Sequence, residues 1–258
     1  MPELARQTLA TFVRSLELRW LLFLAGLICV IWALAELTDE VIEGSTRDLD
    51  RDILLALRTE GDLANPIGPE WIEEMGRDLT ALGGVAVLTL STALVALYFL
   101  MRDRIGSMLF LFSAVGGGIV ISSIAKEFFD RPRPDLVPYG SLVHTASFPS
   151  GHSMMAAVAY LSLGVLIARV QPRRRLKTFI LLTAVMLTVL VGISRVYLGV
   201  HWPTDVLAGW LAGAAWAAMC FAVAQYLGRR GHIEADDCDA PLDTARRDME
   251  FSSTRHEI

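Results

Sequence analysis

Charged residues are scarce in this chain, and cysteine is scarcer. Asp, Glu, Lys and Arg make up 20% of the 258 residues, while 53% are hydrophobic. Soluble domains are ordinarily more charged and less apolar. The three cysteines, Cys29, Cys220 and Cys238, are odd in number and two lie in apolar runs. They offer neither a disulfide framework nor a metal site. There is no G-x-x-x-x-G-K-[ST] loop to cradle a nucleotide and no Cys/His cluster at metal spacing, so no cofactor is expected. No internal repeat is visible, which excludes solenoids and propellers. The net charge of −5 is too unevenly spread to define a partner, and nothing points to nucleic acid.

What the chain does have is apolar runs. They are Trp20–Leu37, Leu79–Met101, Ile105–Ala125, His152–Val170, Leu176–Ile193 and Pro203–Leu227. Each approaches the length needed to cross a bilayer, about 20 residues for a helix. With a mean hydropathy of +0.47, they predict an all-α polytopic membrane protein, a bundle of six transmembrane helices over 20–227. Residues 1–19 form a basic leading segment, and 228–258, mixed in charge and poor in large apolar residues, form a disordered tail. Ala33-Leu34-Ala35 resembles a signal-peptidase site, but the leader is long and an uncleaved first helix gives an even number of spans.

Residues 38–78 are polar and acidic. Within them Asp50 to Arg58 carries Ile53, Leu54 and Leu57 on one helical face, and Pro69 to Leu79 reads as a second short helix. The pair suits either the headgroup layer or a small cap packed on the bundle. Asn65-Pro66 and Gly68-Pro69 mark the turn between them. Gly116-Gly117-Gly118 and the Gly209/Gly213 pair are expected to be packing faces. The basic connections, Arg102/Arg104 and Arg169 to Lys177, fall with the N-terminal segment and Arg229-Arg230 on one side of a six-span protein. The positive-inside rule makes that side cytoplasmic. The expected setting is a bacterial inner membrane with both termini cytoplasmic. The acidic loop, the proline-rich loop from Glu127 to Gly151 and the Ser194–Trp202 turn then face outward.

This parity gathers chemistry. Lys126 ends the third run and His152 begins the fourth; Arg195 ends the fifth and His201 begins the sixth. With Arg133, three cations and two imidazoles share one membrane depth, as an anion site would require. His201 and Asp205 are four apart. If Pro203 opens the next helix, the carboxylate can turn back to the imidazole, fix its tautomer and free the other nitrogen to attack. Lys126, Arg133 and Arg195 can surround a transferring phosphoryl group. Ser150 can cap the fourth helix, whose N-terminal N–H groups favour an anion, and Gly151 leaves room for an oxygen. His152 can protonate the leaving oxygen.

Three motifs carry a resemblance. Lys126 to Arg133-Pro134 fits K-x6-R-P, Pro149-Ser150-Gly151-His152 fits P-S-G-H, and Ser194-Arg195 through His201 to Asp205 fits S-R-x5-H-x3-D. The chain resembles the type 2 phosphatidic acid phosphatase superfamily of integral membrane lipid phosphatases. The resemblance implies a metal-independent phosphatase with a phosphohistidine intermediate. His201 would be nucleophile, Asp205 its partner and His152 the general acid, while Lys126, Arg133, Ser150, Gly151 and Arg195 would bind phosphate. Arg131-Pro132 lies too close to Lys126 for the first motif, which leaves Arg131 as a headgroup contact or a partner of Asp130. His144, His232 and His256 match no motif.

The expected substrate is a membrane lipid phosphate of the phosphatidate, phosphatidylglycerophosphate or undecaprenyl pyrophosphate class. A lipid phosphotransferase using the same intermediate is the alternative. A transporter would place its ionisable groups near the midplane on broken helices, whereas here they stand at span ends. Nothing in the sequence addresses the oligomeric state.

Overall fold

The structure, a computed structural model, describes residues 2–135 and 146–229. Pro138 and His144 of the proline-rich loop lie outside these residues, as do Cys238, His232, His256 and nearly all of the C-terminal tail. In chain order the elements are α1 (Pro2–Glu43), α2 (Arg47–Ala56), β1 (Arg58–Thr59), β2 (Asp62–Pro66), α3 (Glu70–Ala81), α4 (Val85–Met101), α5 (Ile105–Phe128), α6 (Gly151–Arg169), α7 (Arg174–Tyr197) and α8 (Pro203–Arg229). The fold is a helical bundle, and the protein is an integral membrane protein.

Among the described residues, five helical stretches are long and apolar enough to cross a bilayer: Trp20–Glu43, Ile105–Phe128, Gly151–Arg169, Arg174–Tyr197 and Pro203–Leu227. The second predicted run is divided. Its first residues belong to α3, and α3 and α4 meet at a 46° bend across Gly83 and Gly84. The 17 residues of α4 reach about 25 Å at 1.5 Å per residue, short of a hydrocarbon core of about 30 Å. The bent pair together makes the sixth candidate span.

Helix α6 is the centre of the bundle, packed against α4, α5, α7 and α8. Its Ser-Met-Met-Ala-Ala-Val-Ala sequence explains this, since small side chains let neighbouring backbones approach where water supplies no hydrophobic drive. Met154, Ala156, Val158 and Ser153 are fully buried. The Gly209/Gly213 face of α8 lies on α6: a Cβ on Gly209 would stand 2.7 Å from the Ser150 carbonyl, and one on Gly213 2.5 Å from that of Met154. Gly117 receives the Trp216 ring and Gly118 the side chain of Val158, whereas a Cβ on Gly116 would meet nothing within 4 Å among the described residues. Two of the triplet's three glycines therefore pack. Leu21, Leu22, Ile28 and Trp32 on α1 are all exposed, an arrangement suited to lipid, and Phe23 meets Phe221 of α8 at 6.1 Å.

The segment expected to be an acidic loop is mostly ordered structure. Helix α1 runs past its apolar stretch to Glu43 and stops at Gly44, whose φ of 79° suits a residue without a Cβ. A hairpin not foreseen in the sequence follows α2. Its turn is at Glu60-Gly61; Asn65-Pro66, expected as a turn, is the end of β2. Both short helices pack on the bundle, α2 on α8 and α3 on α7, which decides for the cap.

Candidate active site

Local sequence explains how α7 and α8 bring their polar residues together. Helix α7 ends with Leu198 as its C-cap, and Gly199 follows with φ 72°. The N–H of Gly199 donates to Val196 O (2.9 Å) and that of Val200 to Arg195 O (3.1 Å), a Schellman closure. This tight reversal sets Arg195 in the last turn and His201 just beyond it. Pro203 opens α8 as expected, its fixed φ and missing N–H both suited to that position. Asp205, two residues later, reaches back: its Oδ2 accepts the Trp202 N–H at 3.0 Å, as in a capping box, and lies 3.3 Å from His201 Nδ1. The Ser194 hydroxyl donates to Val191 O at 2.6 Å and stays within α7.

His201 is 1% exposed and Asp205 fully buried. On the other edge of the ring, Arg133 NH1 lies 3.2 Å from Nε2 and also donates to Val200 O at 3.1 Å. A guanidinium can only donate. Nε2 therefore presents its lone pair, and the imidazole proton sits on Nδ1, toward Asp205. Burial pushes the His201 pKa down to about 4. The bond to Asp205 opposes this, and the charges of Arg195 and Arg133 add to it.

The remaining expected residues converge on the same end. A Cβ on Gly151 would lie 3.0 Å from Lys126 Nζ, so glycine there lets the ammonium reach the first turn of α6. The charges of Arg133 and Arg195 act on Lys126, and those of Arg195, Lys126 and Arg133 act on half-buried His152. Arg195 donates to Thr80 Oγ1 of α3 at 2.9 Å. Ser150 is fully buried at the N-cap position of α6, but its hydroxyl makes no capping bond; it accepts from Ser153 Oγ at 3.0 Å. Its N–H donates to Asp205 O at 2.9 Å, tying α6 to α8. The first N–H groups of α6 have no acceptor within the helix and point out of this same end.

Arg131 does not pair with Asp130. It bridges Asp205 Oδ1 at 2.5 Å and Asp50 Oδ2 at 2.7 Å, because two buried carboxylates need a cation more than the exposed Asp130 does. Ser147 donates to Asp205 Oδ2 as well. Asp50, Ser147 and Thr80 escaped the sequence reading. Only Asp50 left a signal: it occupies the same helical stripe as Leu54 and Leu57, an acid where an apolar residue belongs.

Among the described residues, no group of three or more His, Cys, Asp or Glu side chains is placed to hold a metal ion. Fold and site together define a membrane protein with a cationic pocket built around a buried imidazole–carboxylate pair. The PAP2 superfamily model matches residues 106–229. Phosphatidylglycerophosphatase B of Bacillus subtilis is 38% identical over 147 residues, 55% of this chain and 70% of that protein. A lipid A 1-phosphatase of Rhizobium johnstonii is 27% identical over 200 residues, 68% of this chain and 77% of that one. The crystal structure of a transmembrane PAP2-type phosphatidylglycerolphosphate phosphatase from Bacillus subtilis superposes with a TM-score of 0.70 at 28% identity, over 78% of this chain and 96% of that chain. The chain belongs to the PAP2 superfamily and is a phosphatase.

Proposed function

We propose that the protein hydrolyses a phosphate or diphosphate from a membrane lipid through a phosphohistidine on His201, at the extracytoplasmic face. The observation that carries this is the His201 ring itself, held by Asp205 on one nitrogen and open to Arg133 on the other. Lys126, Arg133 and Arg195 take the non-bridging phosphoryl oxygens, with the first turn of α6 from Ser150 and Gly151 beneath them. Arg133 turns from Nε2 to the phosphate as substrate binds. The Nε2 lone pair forms the N–P bond while the P–O bond to the lipid breaks, and His152 gives its proton to the departing oxygen. His152 then takes a proton from water, whose oxygen attacks phosphorus; the P–N bond breaks and phosphate leaves. Asp205 stabilises the charge on the ring throughout.

Residues 20–227 are read as the phosphatase domain, with 1–19 and 228–258 on the cytoplasmic side. The substrate class is that of the relatives' names or of a polyprenyl diphosphate: a two-tailed or polyprenyl lipid presenting a terminal phosphate. Phosphate release measured over a panel of phosphatidate, phosphatidylglycerophosphate and undecaprenyl pyrophosphate in nanodiscs tests it. No release from any of them refutes the reading. A parallel assay with a lipid acceptor separates hydrolysis from transfer.

Activity is expected to survive EDTA and to be blocked by vanadate, which can take a trigonal-bipyramidal geometry. Loss on chelation with recovery on Mg²⁺ would indicate a metal-assisted reaction instead. The pH profile is a separate test. A protonated imidazole cannot attack, and burial holds His201 at about 4. The acid limb of kcat/KM, which reports the free enzyme, is therefore expected near pH 4, with the neutral nucleophile present above it and lost below. A limb near the ordinary histidine value of about 6.5 attributable to His201 would contradict the buried setting.

A further inference from the structure

Asp50 lies on α2, outside the residues that the family model matches, yet it is fully buried. Its Oδ1 accepts the Thr204 N–H at 3.0 Å, and its Oδ2 accepts the Thr204 hydroxyl at 2.6 Å. The same Oδ2 accepts from Arg131 NH2 at 2.7 Å. A carboxylate from one element thus caps the N-terminus of another, where the helix dipole favours negative charge. Arg131 spans the two acids, with NH1 also on Thr204 Oγ1 at 2.8 Å and its guanidinium 5.7 Å from the Trp202 ring centre. Trp202 in turn donates from Nε1 to Pro132 O at 2.9 Å.

We infer that Asp50 is a positioning residue for the His201–Asp205 pair, acting through Arg131 and through the first turn of α8. Asp205 has two oxygens and several donors. Arg131 occupies Oδ1, which leaves Oδ2 for Ser147, the Trp202 N–H and the imidazole. Were Arg131 released from Asp50, its fork would be free to close on Asp205 in a two-point pairing and draw Oδ2 away from Nδ1. Asp50 holds one arm of the fork so that the other meets only one carboxylate oxygen. It also neutralises Arg131, so that the positive charge offered to a phosphoryl group comes from Lys126, Arg133 and Arg195 rather than from a cation behind the nucleophile. The cap thereby becomes part of what aims the ring.

The inference rests on the functional reading above, and the test separates the two. Asp50→Asn keeps the size and removes the charge; Asp50→Glu keeps the charge; Asp48→Asn, at an exposed position of the same helix, is the control. In the full-length protein in nanodiscs, the single-turnover rate of Asp50→Asn on a lipid phosphate that the wild type hydrolyses is expected to fall about 10²-fold, the scale of an ångström-sized misplacement. The inhibition constant of inorganic phosphate, which reports the three phosphate-binding cations, should stay within about twofold, since none of them touches Asp50. Asp50→Glu should recover part of the rate, and Asp48→Asn should match the wild type. Asp50→Asn and Arg131→Gln should be non-additive, because they break one chain of contacts. An unchanged rate in folded Asp50→Asn overturns the inference. So does a parallel loss of rate and phosphate affinity, which marks a loosened fold. A wild type inactive on every lipid phosphate removes the functional reading and this inference with it.

Discussion

Replacing His201 with alanine is expected to end phosphate release, lowering turnover by at least about 10⁴-fold, the scale seen when a covalent nucleophile is removed. On the proposed mechanism the N–P bond to this ring divides one slow displacement into two, a step that fixed cations alone cannot supply. Among the described residues no other imidazole is paired with a carboxylate: His152, in the first turn of α6, has no such partner. The fold should survive the change. Asp205 would keep Arg131, Ser147 and the Trp202 N–H, so its buried charge would not be orphaned, and the Ser150–Asp205 backbone bond does not involve the ring. Two measurements check this. Phosphate release should vanish while detergent-solubilised protein elutes and melts as the wild type does. Acid-labile, base-stable ³²P-labelling of the protein, present in a rapidly quenched wild-type reaction, should be missing from the variant. Retained turnover would refute the assignment of His201.

The helices were legible wherever the bilayer imposes a composition. An apolar run reports hydrocarbon thickness, and the runs ending at Ala125, Val170 and Ile193 fall within a few residues of observed helix ends. The same signal is silent where a helix continues into a polar layer. Glu36, Asp39 and Glu40 are tolerable helix residues, so α1 passes the end of its run, and only Gly44 marks its stop. The bend between α3 and α4 was hidden because Leu79 to Met101 reads as one apolar stretch, while Gly83 and Gly84 break it for packing reasons. A Cβ on Gly83 would stand 2.5 Å from Val191 and 3.2 Å from the His152 carbonyl.

The site was legible because its residues sit at fixed distances from helix ends, and helix ends obey local rules. Arg195 to His201 is the span of a Schellman reversal, and His201 to Asp205 that of a proline-opened helix with an acid in its first turn. Partners from distant parts of the chain have no such rule. Asp50 meets Thr204 across 154 positions, and Arg131-Pro132 had the neighbouring Arg133-Pro134 to be confused with. Burial decided between them. Arg131 went to the two buried carboxylates, Asp50 and Asp205, and Arg133 to Nε2 of His201.

Replacing His152 with alanine should slow release from a natural lipid phosphate by about 10²- to 10⁴-fold, the usual worth of a positioned proton donor. The loss should shrink toward nothing for the first step on an aryl phosphate. An alkoxide is a poor leaving group and needs the proton; a nitrophenolate leaves without one. His152 is suited to that selective role by its place: it lies in the first turn of α6, its carbonyl is close to Gly83, and its ring shares the field of Lys126, Arg133 and Arg195. The second half of the reaction adds a sharper sign. On the proposed mechanism water attacking the phosphohistidine needs a base, and His152 would be the group that has just lost its proton. With an aryl phosphate the variant should therefore give a rapid burst of about one phenolate per enzyme and then stall, because the phosphoenzyme forms but does not turn over. Stopped-flow absorbance reads both phases. Equal damage to alkyl and aryl substrates, with no burst, would remove His152 from the proton path and leave it as one more polar group lining the phosphate.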